Sequence, residues 1–190
     1  AYADGSESIK KYERNPEDNS VNIITVDDED YLEEKEQLKL NENDLVIERT
    51  IFDEDENITE KHCMEYDDNK NLIRRLEYGE GGDDLLTERL FSYDKNNNMI
   101  KRLSLTKDKK LIDVIEQEFD EKNRVLSQKF GKSYLIKHTY NDDENTYTEE
   151  RINAEGMIEY RCVSKYDENN YLIEEEKPLS VTKYEYKYYN

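Results

Sequence analysis

Eight residues, Tyr66-Asp67-Asp68-Asn69-Lys70-Asn71-Leu72-Ile73, set the terms on which this 190-residue chain can fold, because their pattern returns along nearly its whole length. An aromatic or aliphatic residue precedes Asp, two polar residues and a turn residue follow, and one variable position leads into an apolar pair. The pattern recurs at Val26-Asp27 to Leu32, Phe52-Asp53 to Ile58, Tyr93-Asp94 to Ile100, Phe119-Asp120 to Leu126 and Tyr166-Asp167 to Ile173. Strand-forming residues on both sides of a short polar turn that opens with Asp describe a β-hairpin.

Strand ends are expected at Val26, Leu40, Phe52, Tyr66, Tyr78, Tyr93, Leu105, Phe119, Phe130, Tyr140, Ile152 and Tyr166. Taken in pairs, most intervals give a period near 26 residues, enough for two strands and two turns. Connections that short join only antiparallel neighbours. The predicted fold is therefore all-β, an antiparallel meander of repeated hairpins in an open twisted or partly curled sheet. Residues 1–20 read as a loose lead-in, with a short strand around Ile9 to Tyr12 and a turn at Asn15-Pro16-Glu17-Asp18. Residues 21–190 read as one hairpin-repeat domain, and the alternating Lys183 to Tyr189 should be its last strand.

The turns support this independently of the strands. A hairpin loop built on a type I turn needs a residue in left-handed conformation just before the chain re-enters a strand, where Gly is least costly and Asn or Asp next. That slot holds Asp30, Asp44, Asn97, Asn123, Gly156 and Asn170, whereas Glu56, Lys70, Lys109 and Glu144 depart from the preference. Those four turns should be strained or differently shaped. Leu111 to Lys129 carries apolar residues at helical spacing and Leu32 to Leu40 is rich in helix formers, yet both keep the turn register and are assigned to strands. Gly79-Glu80-Gly81-Gly82-Asp83-Asp84 is the longer, glycine-rich exception, expected to be a mobile or extended hairpin loop. Between turns, alternation leaves one face moderately apolar and the other charged, with Lys and Arg able to face Glu across strands.

Composition decides whether such a chain folds and what it meets. Only 34% of residues are hydrophobic and 40% are charged, but 16 tyrosines supply amphipathic surface that packs on a half-wet sheet. The formal charge of −20 opposes binding to nucleic acid or anionic membranes and favours a cationic partner, besides keeping an edge-rich sheet soluble. No apolar run is long enough to span a membrane.

No catalytic set emerges, and no cofactor is expected. Cys63 and Cys162 lack a C-x-x-C spacing, and their separation in a continuous sheet predicts free thiols. His62 points to the strand face opposite Cys63, His138 lies several strands away, and both suit packing or surface roles better than nucleophile activation. The acidic turns at Asp53 and Asp67 lack the glycine and the final glutamate of a calcium loop, and hairpin chemistry accounts for the same residues. An enzyme is not expected.

With Tyr66-Asp67-x-x-x-Asn71-Leu72-Ile73, Tyr93-Asp94-x-x-x-Asn98-Met99-Ile100 and Tyr166-Asp167-x-x-x-Tyr171-Leu172-Ile173, the chain resembles the YD-repeat, or Rhs-like, group from about Val21 to its C-terminus. The family glycine is replaced in each Asp-containing repeat and survives only as Gly156 in an offset copy. The resemblance implies antiparallel hairpins in a spiral shell or long sheet. It also brings two biological settings: bacterial surface lipoproteins, and toxin systems with matched immunity proteins.

The expected function is accordingly that of a non-catalytic, acidic protein-binding module, an immunity or inhibitor protein covering a basic partner such as a toxin domain. The alternative is an extracellular or lipid-anchored structural or adhesive scaffold. The first would place the chain in a bacterial cytoplasm, the second in the envelope or outside. Solvent-facing tyrosine and acid late in the array form the candidate contact surface: Tyr160, Tyr171, Glu174, Glu176, Tyr184 and Tyr186. The loop holding Gly81 and Asp83 is the second candidate.

Overall fold

A computed structural model describes residues 8–27, 29 and 31–186. Fifteen strands follow in chain order: β1 (Ile9–Asn15), β2 (Ser20–Val26), β3 (Leu32–Leu40), β4 (Val46–Phe52), β5 (Ile58–Tyr66), β6 (Leu72–Tyr78), β7 (Leu85–Tyr93), β8 (Met99–Thr106), β9 (Leu111–Phe119), β10 (Val125–Phe130), β11 (Tyr134–Asn141), β12 (Thr146–Asn153), β13 (Ile158–Tyr166), β14 (Leu172–Lys177) and β15 (Ser180–Lys183). The sheet order runs from β1 to β15 without a crossover, so the protein is an all-β antiparallel meander. Among the described residues the only helical piece is a 3-10 turn at Glu80–Gly82 between β6 and β7. Two compact units divide the chain, Ala1–Ser92 with Leu103–Ile112, and Tyr93–Arg102 with Asp113–Asn190.

The Asp-led turn explains the repeat. In each, the Asp or Asn side chain accepts the backbone N–H groups two and four residues on, as Asp67 Oδ1 does from Asn69 at 3.0 Å and Asn71 at 2.8 Å. The same pair of bonds forms at Asp27, Asn41, Asp53, Asp94, Asp120, Asn153 and Asp167. One side-chain oxygen thus holds two loop amides that the ladder cannot reach. The left-handed residue closes the turn, with Lys70 N–H returning to the Asp67 carbonyl at 2.9 Å and Asn170 N–H to that of Asp167 at 3.1 Å. A one-residue register shift follows as the strand resumes, seen between Glu65 and Tyr66 and between Lys165 and Tyr166.

Asp44, Asn97, Asn123, Gly156 and Asn170 occupy the left-handed region, as do Glu56 (φ 63°), Lys70 (φ 66°) and Lys109 (φ 60°). Three of the four unusual turns are therefore of the common shape and carry its strain. The fourth differs, because Asn145 rather than Glu144 takes the positive φ, at 52°. Asp30 lies outside the described residues.

Asn145 has a counterpart 126 residues earlier, Asn19 (φ 52°). Each closes a four-residue turn, in Asn15-Pro16-Glu17-Asp18-Asn19-Ser20 and Asn141-Asp142-Asp143-Glu144-Asn145-Thr146. Each also reaches to the hairpin two strands away. The Asn19 amide donates to the carbonyls of Leu40 (3.1 Å) and Asn41 (3.0 Å), and the Asn145 amide to those of Tyr166 (3.1 Å) and Asp167 (2.5 Å). Each unit therefore holds the same clamp between successive hairpins.

Interior burial is small and largely polar. Val26 and Cys162 are the buried apolar residues among those described, against Ser20, Thr50, His62, Glu88, Ser104 and Ser164 on the polar side. Expecting one moderately apolar face and one charged face is thus too simple. Between β5 and β7, Leu76 shares a face with Arg74 and Glu88, while Arg75, Glu77 and His62 occupy the other. Ion pairs cross strands on both: Lys39 and Lys61 flank Glu48 at 2.7 and 3.1 Å, and Arg49 forms a two-pronged contact with Glu36 at 2.7 and 3.2 Å.

The last strand lies earlier than expected. Pro178 and Leu179 form a two-residue turn, with Lys177 opposite Ser180, so β15 is Ser180–Lys183, and Tyr184 to Tyr186 lie past its end. Lys187 to Tyr189 fall outside the described residues. The strand at the start is longer than the lead-in suggested, since all of Ile9–Asn15 pairs with β2.

Candidate functional site

The late tyrosines and acids do not form one surface. In β14, Glu174 lies opposite Lys165 and Lys183, and its carboxylate pairs with Lys183 at 3.3 Å; Glu176 shares that face opposite Val163 and Val181. Tyr160 points to the other face, opposite Arg151 and beside the buried Cys162. Tyr171, in the β13–β14 turn, packs against Tyr186 with ring centroids 5.1 Å apart, and the Tyr186 hydroxyl donates to the Leu172 carbonyl at 2.9 Å. Tyr184 donates its backbone N–H to Ile173.

The face bearing Tyr160 holds a row of rings that the sequence pattern did not single out. Phe130 and Tyr134 stack at 4.5 Å, with the Arg151 guanidinium 4.4 Å over Tyr134. Along the same strands Tyr140 and Tyr147 lie 5.3 Å apart, with the Arg124 guanidinium 4.2 Å over Tyr140. His138 Nδ1 is 2.7 Å from the Tyr147 hydroxyl, which is 3.1 Å from Glu149 Oε2. With Glu149 ionised, the tyrosine proton points to the carboxylate and His138 carries its proton on Nδ1. Burial lowers the His138 pKa and raises that of Tyr147, the latter helped by the Glu149 charge. The signal for this row was cross-strand pairing of aromatic positions, which becomes readable only once register is known.

The second candidate, the β6–β7 loop, is a closed turn. Gly79 N–H donates to the Asp84 carbonyl at 3.1 Å and Gly82 N–H to Gly79 at 3.0 Å. Gly82 has φ 74° and is buried, its α-carbon facing Ile58 and Lys61, so no other residue fits there without strain. Gly81 (φ 75°) faces open space, and Asp83 is exposed.

Topology gives this loop its neighbours. In a meander, alternate turns emerge at the same end of the strands, about 10 Å apart at two strand spacings. The β2–β3, β4–β5 and β6–β7 turns of the first unit therefore form one rim. Its sequence is Asp27-Asp28-Glu29-Asp30-Tyr31, Asp53-Glu54-Asp55-Glu56-Asn57 and Gly79-Glu80-Gly81-Gly82-Asp83-Asp84, which contains no Lys or Arg. Asp28 and Asp30 are outside the described residues. Asp53 is held below the usual carboxylate range chiefly by the Asn57 backbone amide, and Glu56 by Lys35 at 2.7 Å. The next turn at that end supplies lysines, with Lys107 3.3 Å from Asp84 and Lys109 in contact with the buried Glu88.

Cys63 and Cys162 are free thiols, and burial raises the Cys63 pKa. His62 accepts from the Arg75 guanidinium at Nδ1 and lies 3.2 Å from Glu60 at Nε2. No group of three or more metal-ligating side chains occurs among the described residues, and no helix is long and apolar enough to cross a membrane.

No family model matches the chain, and no curated protein matches it significantly. Solved structures do. The crystal structure of TcdB2-TccC3-Cdc42 matches with a TM-score of 0.59 and 10% identity over 91% of this chain and 10% of that one. The Photorhabdus luminescens Tc holotoxin pore, with a mutated TccC3, matches with a TM-score of 0.41 and 12% identity over 87% of this chain and 11% of that one. The chain thus spans about a tenth of the solved chains it matches. At 10% identity, the first match is a likeness of fold.

Proposed function

We propose that this chain is a non-catalytic binding module for a basic protein, of the immunity or inhibitor kind, whose partner is a toxin domain. The observation that carries the reading is the acidic rim of the first unit, where three successive turns at one end of the strands hold carboxylates and contribute no Lys or Arg of their own. Among the described residues only Lys35 and Lys107, from neighbouring segments, offset them. Carboxylates in a row about 10 Å apart suit a cationic surface better than a small ligand, and they speed encounter through a long-range field. The YD-repeat resemblance, with its toxin and immunity setting, supports the same reading, and so does a fold like that of a Tc toxin chain.

A tagged pull-down from producing cells, eluted in steps of rising salt, tests it. One basic protein released only at high salt is the expected result. Affinity that does not change with ionic strength would remove the electrostatic basis.

A second reading, the structural or adhesive scaffold, is favoured by one observation: the matched Tc chain is about ten times longer, so this fold occurs as a stretch of a larger assembly. Recovery in the envelope fraction without a specific basic partner would support the scaffold instead.

A further inference from the structure

Where the strand registers are defined, from β1 to β7 and from β9 to β15, two like formal charges face each other directly at one place, Arg75 on β6 and Arg89 on β7. Facing like charges destabilise a sheet, and this chain has acid in excess with which to avoid them. Two other arginines each meet two carboxylates: Arg74 pairs with both Glu65 and Glu88 at 2.8 Å, and Arg124 with both Asp120 and Asp142 at 2.7 Å.

Arg75 and Arg89 instead share one carboxylate. Both reach Glu77 Oε1, Arg75 at 3.2 Å, while Glu77 Oε2 accepts from the Thr87 hydroxyl at 2.5 Å. Burial pushes the Glu77 pKa up, but the Thr87 hydrogen bond and the two arginines more than reverse it, so the carboxylate is ionised and already engaged at both oxygens. Arg75 also donates to His62 Nδ1, at 3.1 Å from Nε and 2.6 Å from a terminal nitrogen. A histidine nitrogen that accepts from a guanidinium carries no proton, so His62 contributes a lone pair, and an imidazole brings no negative charge to offset the two arginines. Two guanidinium charges thus meet one carboxylate charge, and each arginine is only about one-third exposed, at 34% and 31%. One terminal nitrogen of Arg75, and Nε and the second terminal nitrogen of Arg89, have no partner among the described residues.

We infer that the Arg75–Arg89 pair on β6 and β7 binds a phosphate-type oxyanion. Unused N–H donors on two guanidinium groups suit an anion with several oxygens, and a tetrahedral oxyanion can bridge them where a second flat carboxylate would compete with Glu77. The anion supplies the charge that the register leaves uncompensated. The −20 protein repels anions at long range, so affinity must come from contact and must need both arginines. The same chemistry is available from free inorganic phosphate or from a phosphate ester on a partner.

The test uses the full chain, titrated with sodium phosphate against sodium chloride at matched ionic strength, and followed by the Nε–H signals of Arg75 and Arg89 and by calorimetry. A saturable response to phosphate centred on these two signals is expected. Affinity should fall at least about tenfold in Arg89→Gln, as for loss of a charge-assisted hydrogen bond. Arg161→Gln, on another strand, should leave it unchanged. Arg89→Lys keeps the charge beside Glu77 but loses the fork, and it should bind more weakly than the parent while folding alike. No saturable response beyond that to chloride, or equal affinity in Arg89→Gln and the parent, overturns the inference. A phosphorylated peptide that binds more tightly than inorganic phosphate identifies an ester as the source, and the reverse order identifies the free ion.

Discussion

The turn residues carry the repeat one side chain at a time. Asp67 and Asp94 are held below the usual carboxylate range chiefly by the amides of Asn71 and Asn98, and Asp120 chiefly by the backbone N–H of Arg124. A carboxyl whose pKa is lowered by folding stabilises the fold above its unfolded pKa of about 3.9, and that stability is lost as pH falls through the lower folded value. Replacing Asp53, Asp67, Asp94 and Asp120 together by Asn should keep the fold at pH 7, as Asn41 and Asn153 already serve in this position. It should also flatten the loss of stability below about pH 4, measured by urea unfolding across pH. Lys70 holds φ 66° in a slot that suits glycine. Lys70→Gly should therefore raise stability by about 0.5–1 kcal/mol, read from the shift in urea midpoint. Expecting left-handed residues at Asp44, Asn97, Asn123 and Asn170 needed only side-chain chemistry at a fixed offset from Asp. Glu56, Lys70 and Lys109 show the limit of that approach, because the hairpin's geometry overrides the preference of a single residue.

At the scale of elements, the strand ends were legible because most are followed at once by an Asp or Asn, and Tyr78 and Phe130 by a glycine. Val26, Leu40, Phe52, Tyr66, Tyr78, Tyr93, Phe119, Phe130 and Tyr166 all end strands. The Pro178-Leu179 turn was hidden, since two residues carry no Asp-led signature and the tyrosines after it alternate like a strand. The aromatic row was hidden for another reason: Tyr134 with Arg151 and Tyr140 with Tyr147 meet only across strands, and register depends on bulges that composition does not reveal. The acidic loop at Gly81 and Asp83 was visible as a loop, but not as part of a rim, which follows from alternation of turns along the meander. The asparagine clamps join hairpins that share no turn. Asn145→Ala should remove two hydrogen bonds, leave the Tyr166 carbonyl without the amide while Asp167 keeps the Asn170 N–H, and keep the positive φ, costing about 1–2 kcal/mol by thermal or urea unfolding. An unchanged midpoint would show that the clamp contributes nothing.

For the molecule as a whole, charge is the property most open to experiment. Acidic turns repel one another, while most ion pairs across strands are partly exposed and individually weak. Raising sodium chloride from about 10 to 150 mM shortens the screening length from roughly 30 to 8 Å, and should raise the melting temperature because repulsion is relieved more than pairing is lost. A fall in melting temperature would mean that the cross-strand ion pairs dominate. The buried set leads to a different property. Val26 and Cys162 are its only apolar members among the described residues and most other apolar side chains are half-buried, so unfolding brings less new hydrocarbon into contact with water than the opening of a close-packed core does. Heat capacity tracks that newly wetted hydrocarbon, so calorimetry should find an increment on unfolding well under the usual figure of about 12–15 cal/mol/K per residue. A small increment flattens the curve of stability against temperature, leaving a protein that gains little from mild warming, resists cold, and melts over a broad range.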